Sequence, residues 1–492
     1  MTSNGRFDFT TDVPAASSLG SVHFIAIGGA GMSGVARVML ARGLTVSGSD
    51  AKDSLVLTAL AAEGAAVHIG HDATHLKDAD TVVISSAIRE DNVELRDARS
   101  RGLRVLHRSQ ALASVMRGSR GVAVAGTNGK TTTTSMLTVA LQHCGVDPSF
   151  AVGGELAKHG TNAHLGTGDI FVAEADESDG SFLVYRPDVA IVTNVQPDHL
   201  DFYGTFEAVQ AAYADFAATV RPDGLLVTCA DDQGSRGLAQ MARAEGTRVS
   251  TYGVAADADV RLTVLPSQGL HGHGDLSHAG VPFVRLEIGM PGRHNLLNAT
   301  ASFVAATEGL GQDPARVIEG LAGYTGTRRR FEPKGEVAGV RVVDDYAHNP
   351  GKVAAVVETA SALASQGRLI VVFQPHLYSR TRDFATELAR ALSPANIVIV
   401  MDVYAAREDP MPGVSGALIT DALALAQGPD DKSDAVRFVP SWSDVAPLVA
   451  RIAEAGDLVL TVGAGDVTMI GPEILRLIGR RPGPSEAAQG QE

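Results

Sequence analysis

Residues 121–134, Gly-Val-Ala-Val-Ala-Gly-Thr-Asn-Gly-Lys-Thr-Thr-Thr-Thr, constrain the fold more than any other stretch of this chain. The apolar run Val122–Ala125 has the length of a buried strand, the glycines interrupt it, and Lys130 opens a helical stretch. A strand that passes through a glycine loop into a helix turns backbone N–H groups toward the helix N-terminus, where they can meet phosphate oxygens. Lys130 adds a point charge, and the Thr131 hydroxyl can enter a Mg²⁺ shell. The usual phosphate loop has a glycine where Val124 stands, so this is a shortened variant. The bland alternative is a glycine-rich turn before an ordinary helix.

At 492 residues the chain exceeds a single core and implies about three domains of roughly 150 residues each. With 41 basic and 56 acidic residues the formal charge is −15, which argues against non-specific binding to nucleic acid or anionic membranes. No apolar stretch approaches the ~20 residues of a membrane span, and Met1–Gly20 lacks a signal-peptide pattern. A cytoplasmic protein without membrane insertion is expected. Cys144 and Cys229 are too few for a disulfide framework or a metal cluster and read as small apolar thiols.

Three α/β segments follow one another. The first has strands at 22–27, 44–49, 67–69, 81–85 and 103–106, a parallel sheet of about five. The second runs from about Gly121, with strands at 169–173 and 189–194 and helices at 206–220 and 295–310. Residues 254–292 add short alternating strands and a Gly/His-rich stretch, 268–280, read as a solvated loop in preference to a metal cluster of His271, His273 and His278. The third, after about Arg330, has strands at 340–344, 369–374, 396–402, 435–439 and 458–462, and the tail from Pro482 is expected to be disordered. The expected domains are 1–118, 119–328 and 329–492.

Gly29-Ala30-Gly31-Met32-Ser33-Gly34 fits G-x-G-x-x-G, and Asp50 closes the next strand where an acidic residue would meet a ribose. Alone, this suggests NAD. A UDP-sugar asks for the same turn, helix dipole and hydroxyl acceptor, and a chain with a separate ATP domain has no evident need for hydride transfer. Around the phosphate loop, Glu174 ends a strand where doubly wound sheets place functional groups, and Glu174-Ala-Asp-Glu-Ser-Asp could bind Mg²⁺ through one carboxylate with the others solvated. His199 follows the 189–194 strand as a second-metal ligand, with a structural histidine the alternative. Arg328-Arg329-Arg330 is either a solvated face or a reach toward a γ-phosphate.

Taken together, Gly126-Thr-Asn-Gly-Lys-Thr-Thr, Glu174-Ala-Asp-Glu-Ser-Asp, Thr193-Asn-Val-Gln-Pro-Asp-His-Leu-Asp, Gly292-Arg-His-Asn-Leu-Leu-Asn, Arg330-Phe-Glu and Asp344-Asp-Tyr-Ala-His-Asn-Pro make the chain resemble the Mur ligase family. Gly28-Gly-Ala-Gly-Met-Ser-Gly and Phe373-Gln-Pro-His-Leu-Tyr-Ser-Arg-Thr-Arg point to the branch that adds L-alanine. The resemblance implies an α/β chain of three domains: a Rossmann-like UDP-binding domain, a central P-loop-type ATPase with a mostly parallel sheet, and a Rossmann-like C-terminal domain. It implies ATP, two Mg²⁺ ions with Mn²⁺ able to substitute, and UDP-N-acetylmuramate and L-alanine as substrates joined through an acyl phosphate, with no nucleic-acid partner. No expectation attaches to oligomeric state.

By the same resemblance, Gly126, Thr127, Asn128, Gly129, Lys130, Thr131 and Thr132 would cradle the ATP phosphates. Thr131, Glu174 and His199 would hold metal, His294 and Asn295 would meet adenine, Arg330 the γ-phosphate and Asp345 the ribose. The UDP-sugar would fall to Gly29, Ala30, Gly31, Met32, Ser33, Asp50, His71, Ser85, Ser86 and Asn194, the amino acid and acyl group to Tyr346, His376 and Arg380, and His348 would join Lys130, Glu174, His199 and Arg330 as a catalytic residue near the reacting groups. Two departures stand out. Leu377 replaces a basic residue of several relatives, and no lysine lies between Lys158 and Lys334 to be carbamylated beside the second metal. Alternatives are a sibling ligase of the family, for murein tripeptide recycling or D-glutamate addition, and an NAD-binding protein.

Overall fold

The structure, a computed structural model, describes residues 7–156, 160–278, 280–364, 367–406, 408–427 and 435–481. Lys158 and the tail from Pro482 lie outside the described residues. Two compact units are present: one takes the chain to Gly289 together with His294–Thr327, the other Met290–Arg293 and the chain from Arg328.

The first unit holds two sheets. One is parallel throughout, in the order β3 (Ala66–Ile69), β2 (Val46–Asp50), β1 (Val22–Ile25), β4 (Thr81–Ile84), β5 (Arg104–His107). β1 and β4 are buried at every position, as strands covered on both faces must be, which explains their unbroken apolar runs. The Ala30–Ala41 helix buries Met32, Val35, Val38 and Met39 against this sheet, in a core that also takes Ala151, Ala163, Phe171 and Ala173 from the second sheet.

The second sheet has ten strands. β6 (Arg120–Ala125) lies between β10 (Val189–Val192) and β9 (Ile170–Glu174), all parallel. Beyond β9 come β7 (Ser149–Leu156) and, antiparallel to it, β8 (Thr161–His164); beyond β10 come β11 (Leu225–Cys229), β12 (Val249–Gly253), β13 (Val260–Gln268), β14 (His271–His278) and β15 (Val281–Ile288). The last three form an antiparallel meander, which corrects the reading of 268–280 as a solvated loop. The reason is a period of two over 271–276: Gly272, Gly274 and Leu276 are buried while His271 is exposed and His273 and Asp275 are half-buried, so glycines that suggested a loop mark one face of a strand. Among the described residues, no three His, Cys, Asp or Glu side chains are grouped to hold a metal.

The second unit carries a six-stranded sheet ordered β16 (Glu332–Val337), β17 (Val340–Asp345), β21 (Leu458–Val462), β18 (Leu369–Phe373), β19 (Ile397–Val400), β20 (Val436–Phe438). Only β16 is antiparallel. It escapes a hydrophobicity scan because it is an edge strand with no fully buried position.

Candidate functional site

The phosphate loop leaves the carboxyl end of β6, and Gly129, at φ +89, caps the Lys130–His143 helix without any side-chain cap. A left-handed N-cap of this kind strains any residue but glycine and leaves the helix N-terminus open to an anion. The Asn194 side chain accepts from the Asn128 N–H at 2.9 Å and donates to the Asn128 carbonyl at 3.0 Å, while Thr193 hydrogen-bonds the same carbonyl. Asn194, expected among the UDP-sugar residues, thus has its amide committed to bracing the phosphate loop. Asn298, not singled out from the sequence, stands against the loop from below: its Oδ1 is 2.6 Å from where a side chain on Gly129 would begin. Its signal was present, since it lies one turn beyond Asn295 on the Arg293–Val304 helix.

Lys130 Nζ donates to the Gly126 carbonyl and to both Glu177 oxygens, each at 2.7 Å. Burial works against the ammonium charge, but Glu177 and Asp176 outweigh it and raise the Lys130 pKa. Beside it, the Thr131 hydroxyl donates to Glu174 Oε1 at 3.2 Å, and Gly153 N–H donates to the other carboxylate oxygen at 2.8 Å. A side chain on Gly153 would meet the Glu174 oxygens at 2.8 and 2.9 Å, so glycine lets the carboxylate lie directly against this strand. Two hard oxygen donors side by side at a phosphate loop fit Mg²⁺, which takes only one or two protein oxygens and completes its shell with phosphate and water. His199, in the left-handed region at φ +53, has its Nε2 3.9 Å from Glu177 and 4.0 Å from Asp198. The expectation that the other carboxylates of the acidic run are solvated is wrong for Glu177 and Asp179, which are buried. Burial pushes the His294 pKa down to about 4, which keeps its ring neutral, and Asn295 is buried beside it.

In the same unit, the glycine turn after β1 opens the Ala30–Ala41 helix, again without a side-chain cap. Asp50 accepts from the Gly28 N–H at 3.0 Å and the Lys52 N–H at 3.3 Å, which makes it a brace of the turn. Met32 and Ser33 point inward, leaving only their backbone to face a ligand. His71 Nδ1 lies 2.9 Å from Ser49 Oγ and 3.0 Å from Glu94, a buried carboxylate that also holds His75 at 2.9 Å. Ser86 donates to Asp179, which faces the His107 ring at 3.3 Å; Ser85 precedes it at the end of β4. No cation was expected at this turn, yet Arg108 comes in from the Arg108–Met116 helix, its Nη1 2.5 Å from where a side chain on Gly31 would begin and its Nη2 on Asp176. Nothing near Gly31 in the chain could have signalled it.

In the second unit, the ends of β17 and β18 bring together Tyr346, His348, His376 and Arg380. The Tyr346 and His348 rings are 5.4 Å apart, His348 and His376 5.6 Å, and Arg380 Nη1 lies 3.5 Å from His376 Nδ1. Tyr404, not foreseen, stacks on His376 at 6.0 Å. Leu377 holds φ +70 where the chain turns into the Tyr378–Leu392 helix, the kind of backbone strain that gathers at functional sites. His348 Nδ1 lies 2.9 Å from the Tyr346 carbonyl, which can only accept, so Nδ1 carries the hydrogen and Nε2 keeps its lone pair. Burial, with Lys352 and Arg380 near, holds the ring neutral. Asp345 accepts from Phe331 and Ala347 N–H groups, each at 2.8 Å, and burial raises its pKa. Arg329 does not belong to a solvated run: it donates to the Gly463 and Gly465 carbonyls and lies 4.7 Å over the Tyr346 ring, with Arg330 at 5.2 Å over the same ring.

Comparison with known proteins agrees with this layout. Three family models match in order: the Mur ligase family catalytic domain at residues 21–120, the Mur ligase middle domain at 124–306, and the Mur ligase glutamate ligase domain at 329–465. The UDP-N-acetylmuramate–L-alanine ligase of Kineococcus radiotolerans is 55% identical over 472 residues, 95% of this chain and 98% of that one. The enzyme of the same name from a Mycobacterium species is 50% identical over 95% of this chain and 97% of its own. Among solved structures, UDP-N-acetylmuramate-alanine ligase of Thermotoga maritima is 28% identical with a TM-score of 0.76, covering 96% of this chain and 100% of that one. A murein peptide ligase of Psychrobacter arcticus follows at 25% identity and a TM-score of 0.67, covering 94% and 99%. The chain belongs to the Mur ligase family.

Proposed function

We propose that this protein joins the amine of L-alanine to the lactyl carboxylate of UDP-N-acetylmuramate, with ATP converted to ADP and phosphate, in the synthesis of peptidoglycan precursors. The observation that carries this reading is the 50–55% identity to relatives of that name along nearly the whole chain. The reaction belongs in the cytoplasm, where both nucleotides are made.

A carboxylate resists attack because its charge is delocalised, so it must first become an acyl phosphate. Lys130 and the open N-terminus of its helix receive the β- and γ-phosphates, with Arg330 assigned to the γ-phosphate on the family pattern. Thr131 and Glu174 would hold Mg²⁺ and His199 a second ion; bound there, the metal lowers the repulsion between carboxylate and triphosphate. Phosphoryl transfer through a loose transition state then depends on positioning and electrostatics. The L-alanine amine attacks the acyl carbon, and the tetrahedral oxyanion collapses with loss of phosphate. In the second unit, Arg380 and His376 suit a carboxylate, and the neutral His348 can accept a hydrogen bond from the amine through Nε2, aiming its lone pair. His294 and Asn295 are assigned to adenine and Asp345 to its ribose, although both Asp345 oxygens already accept backbone N–H groups.

The test is ATP-dependent phosphate release with UDP-N-acetylmuramate and each amino acid in turn. L-Alanine should give the highest kcat/KM. Preference for a preformed tripeptide or for D-glutamate would assign the chain to a sibling reaction instead.

A further inference from the structure

Two phosphate cradles in the first unit each have one cation, and one short turn holds both. After β9, Glu177 takes the Lys130 ammonium with both oxygens at 2.7 Å, and the adjacent Asp176 takes the Arg108 guanidinium. Lys130 opens the helix at the phosphate loop, and Arg108 stands over the N-terminus of the Ala30–Ala41 helix. The Lys130–Glu177 pair is enclosed, with side chains 14% and 3% exposed, so Glu177 cannot lose its cation to water at little cost. A triphosphate that draws Lys130 away leaves Glu177 in need of compensation. A diphosphate that draws Arg108 away does the same to Asp176. Asp176 feels both cations, Lys130 as well as Arg108, while Glu177 keeps the His199 ring at 3.9 Å, so Asp176 is the carboxylate through which one cradle's cation can answer for the other.

We propose that Asp176 and Glu177 are positioning residues which, acting through Arg108 and Lys130, make occupation of one phosphate cradle change the affinity of the other. The sign follows from charge. Without a metal ion, removing one cation leaves the turn more negative and tightens its hold on the second, so the two ligands oppose each other. By linkage the effect is the same in both directions. This rests on assigning Lys130 to ATP and the glycine turn to the UDP-sugar.

The experiment is calorimetry on the full chain in metal-free buffer, with UDP-N-acetylmuramate and the non-hydrolysable analogue AMP-PNP each titrated alone and with the other saturating. In wild type each ligand should weaken the other by about fivefold or more. Asp176→Asn and Glu177→Gln should bring that factor to within about twofold, and Glu177→Gln should tighten AMP-PNP alone, since Lys130 no longer leaves a carboxylate. Direct repulsion between the ligands would survive both substitutions, so an unchanged factor in the variants overturns the relay. A wild-type factor of one overturns it whatever the variants do, including variants that do not fold. Lys130→Ala separates the two failures: AMP-PNP binding as tight as in wild type would refute the cradle assignment itself.

Discussion

The two glycine loops of the first unit are built alike and completed differently. Both follow a buried strand, both open a helix without a side-chain cap, and both present backbone N–H groups at a positive helix end. The loop at Gly126–Lys130 carries its cation within its own sequence. The turn at Gly28–Gly34 has none, and its nearest cation is Arg108, which reaches it from the start of another helix. A cradle's charge can therefore be local or imported, and only the local kind is legible as a motif.

Breaking the local cradle should have the largest effect. Lys130→Ala should lower kcat on the order of 10³-fold or more, while calorimetric binding of UDP-N-acetylmuramate weakens by no more than the relay factor, on the order of fivefold; joint loss of both would mean the two loops are one site. The support of the other loop is read by pH. Burial alone would raise the Glu94 pKa, but the nearby His23 ring and hydrogen bonds from Ser49 and His75 outweigh it and hold it at about 2, below its ordinary 4.5. A depressed carboxylate stabilises the fold fully above the unfolded value, so this contribution is complete above about pH 4.5 and lost as pH falls toward 2. It amounts to about 3 kcal/mol at most. Urea midpoints against pH should fall less steeply over that window in Glu94→Gln, and an identical slope would refute it.

Smaller effects sharpen the contrast. Arg108→Ala should weaken UDP-N-acetylmuramate about tenfold, the loss of one charge-assisted hydrogen bond. Equal binding of the UDP-sugar would return Arg108 to a structural role. Smallest is Asp50→Asn. If Asp50 braces the turn, asparagine keeps an acceptor for the Gly28 N–H and costs about 0.5 kcal/mol, roughly twofold in UDP-sugar affinity. A loss beyond tenfold would place a substrate hydroxyl on Asp50.

Much of the site was legible because its parts lie close in sequence. Gly129, Lys130 and Thr131 occupy one loop and helix start, and Tyr346 and His348 sit two residues apart after β17. What escaped shares a different geometry. Glu177 was set aside as solvated because a run of acids usually is, and its burial depends on a lysine 47 residues away. Asp176 meets Arg108 across 68 residues. The 268–280 stretch failed for the opposite reason: its glycines gave a strong local loop signal that pairing on both sides overrode.

The sequence by itself determined where strands give way to glycine loops and helices, and the family, because strand periodicity, glycine conformation and motif spacing are local properties of the chain. The tertiary structure alone decided which carboxylate meets which cation, that Asn194 braces the phosphate loop, and that Arg329 anchors in the second unit's own loops. The physical reason is that charge pairing and hydrogen-bond satisfaction are settled among all groups brought within about 4 Å by folding, and distance along the chain does not bear on that choice.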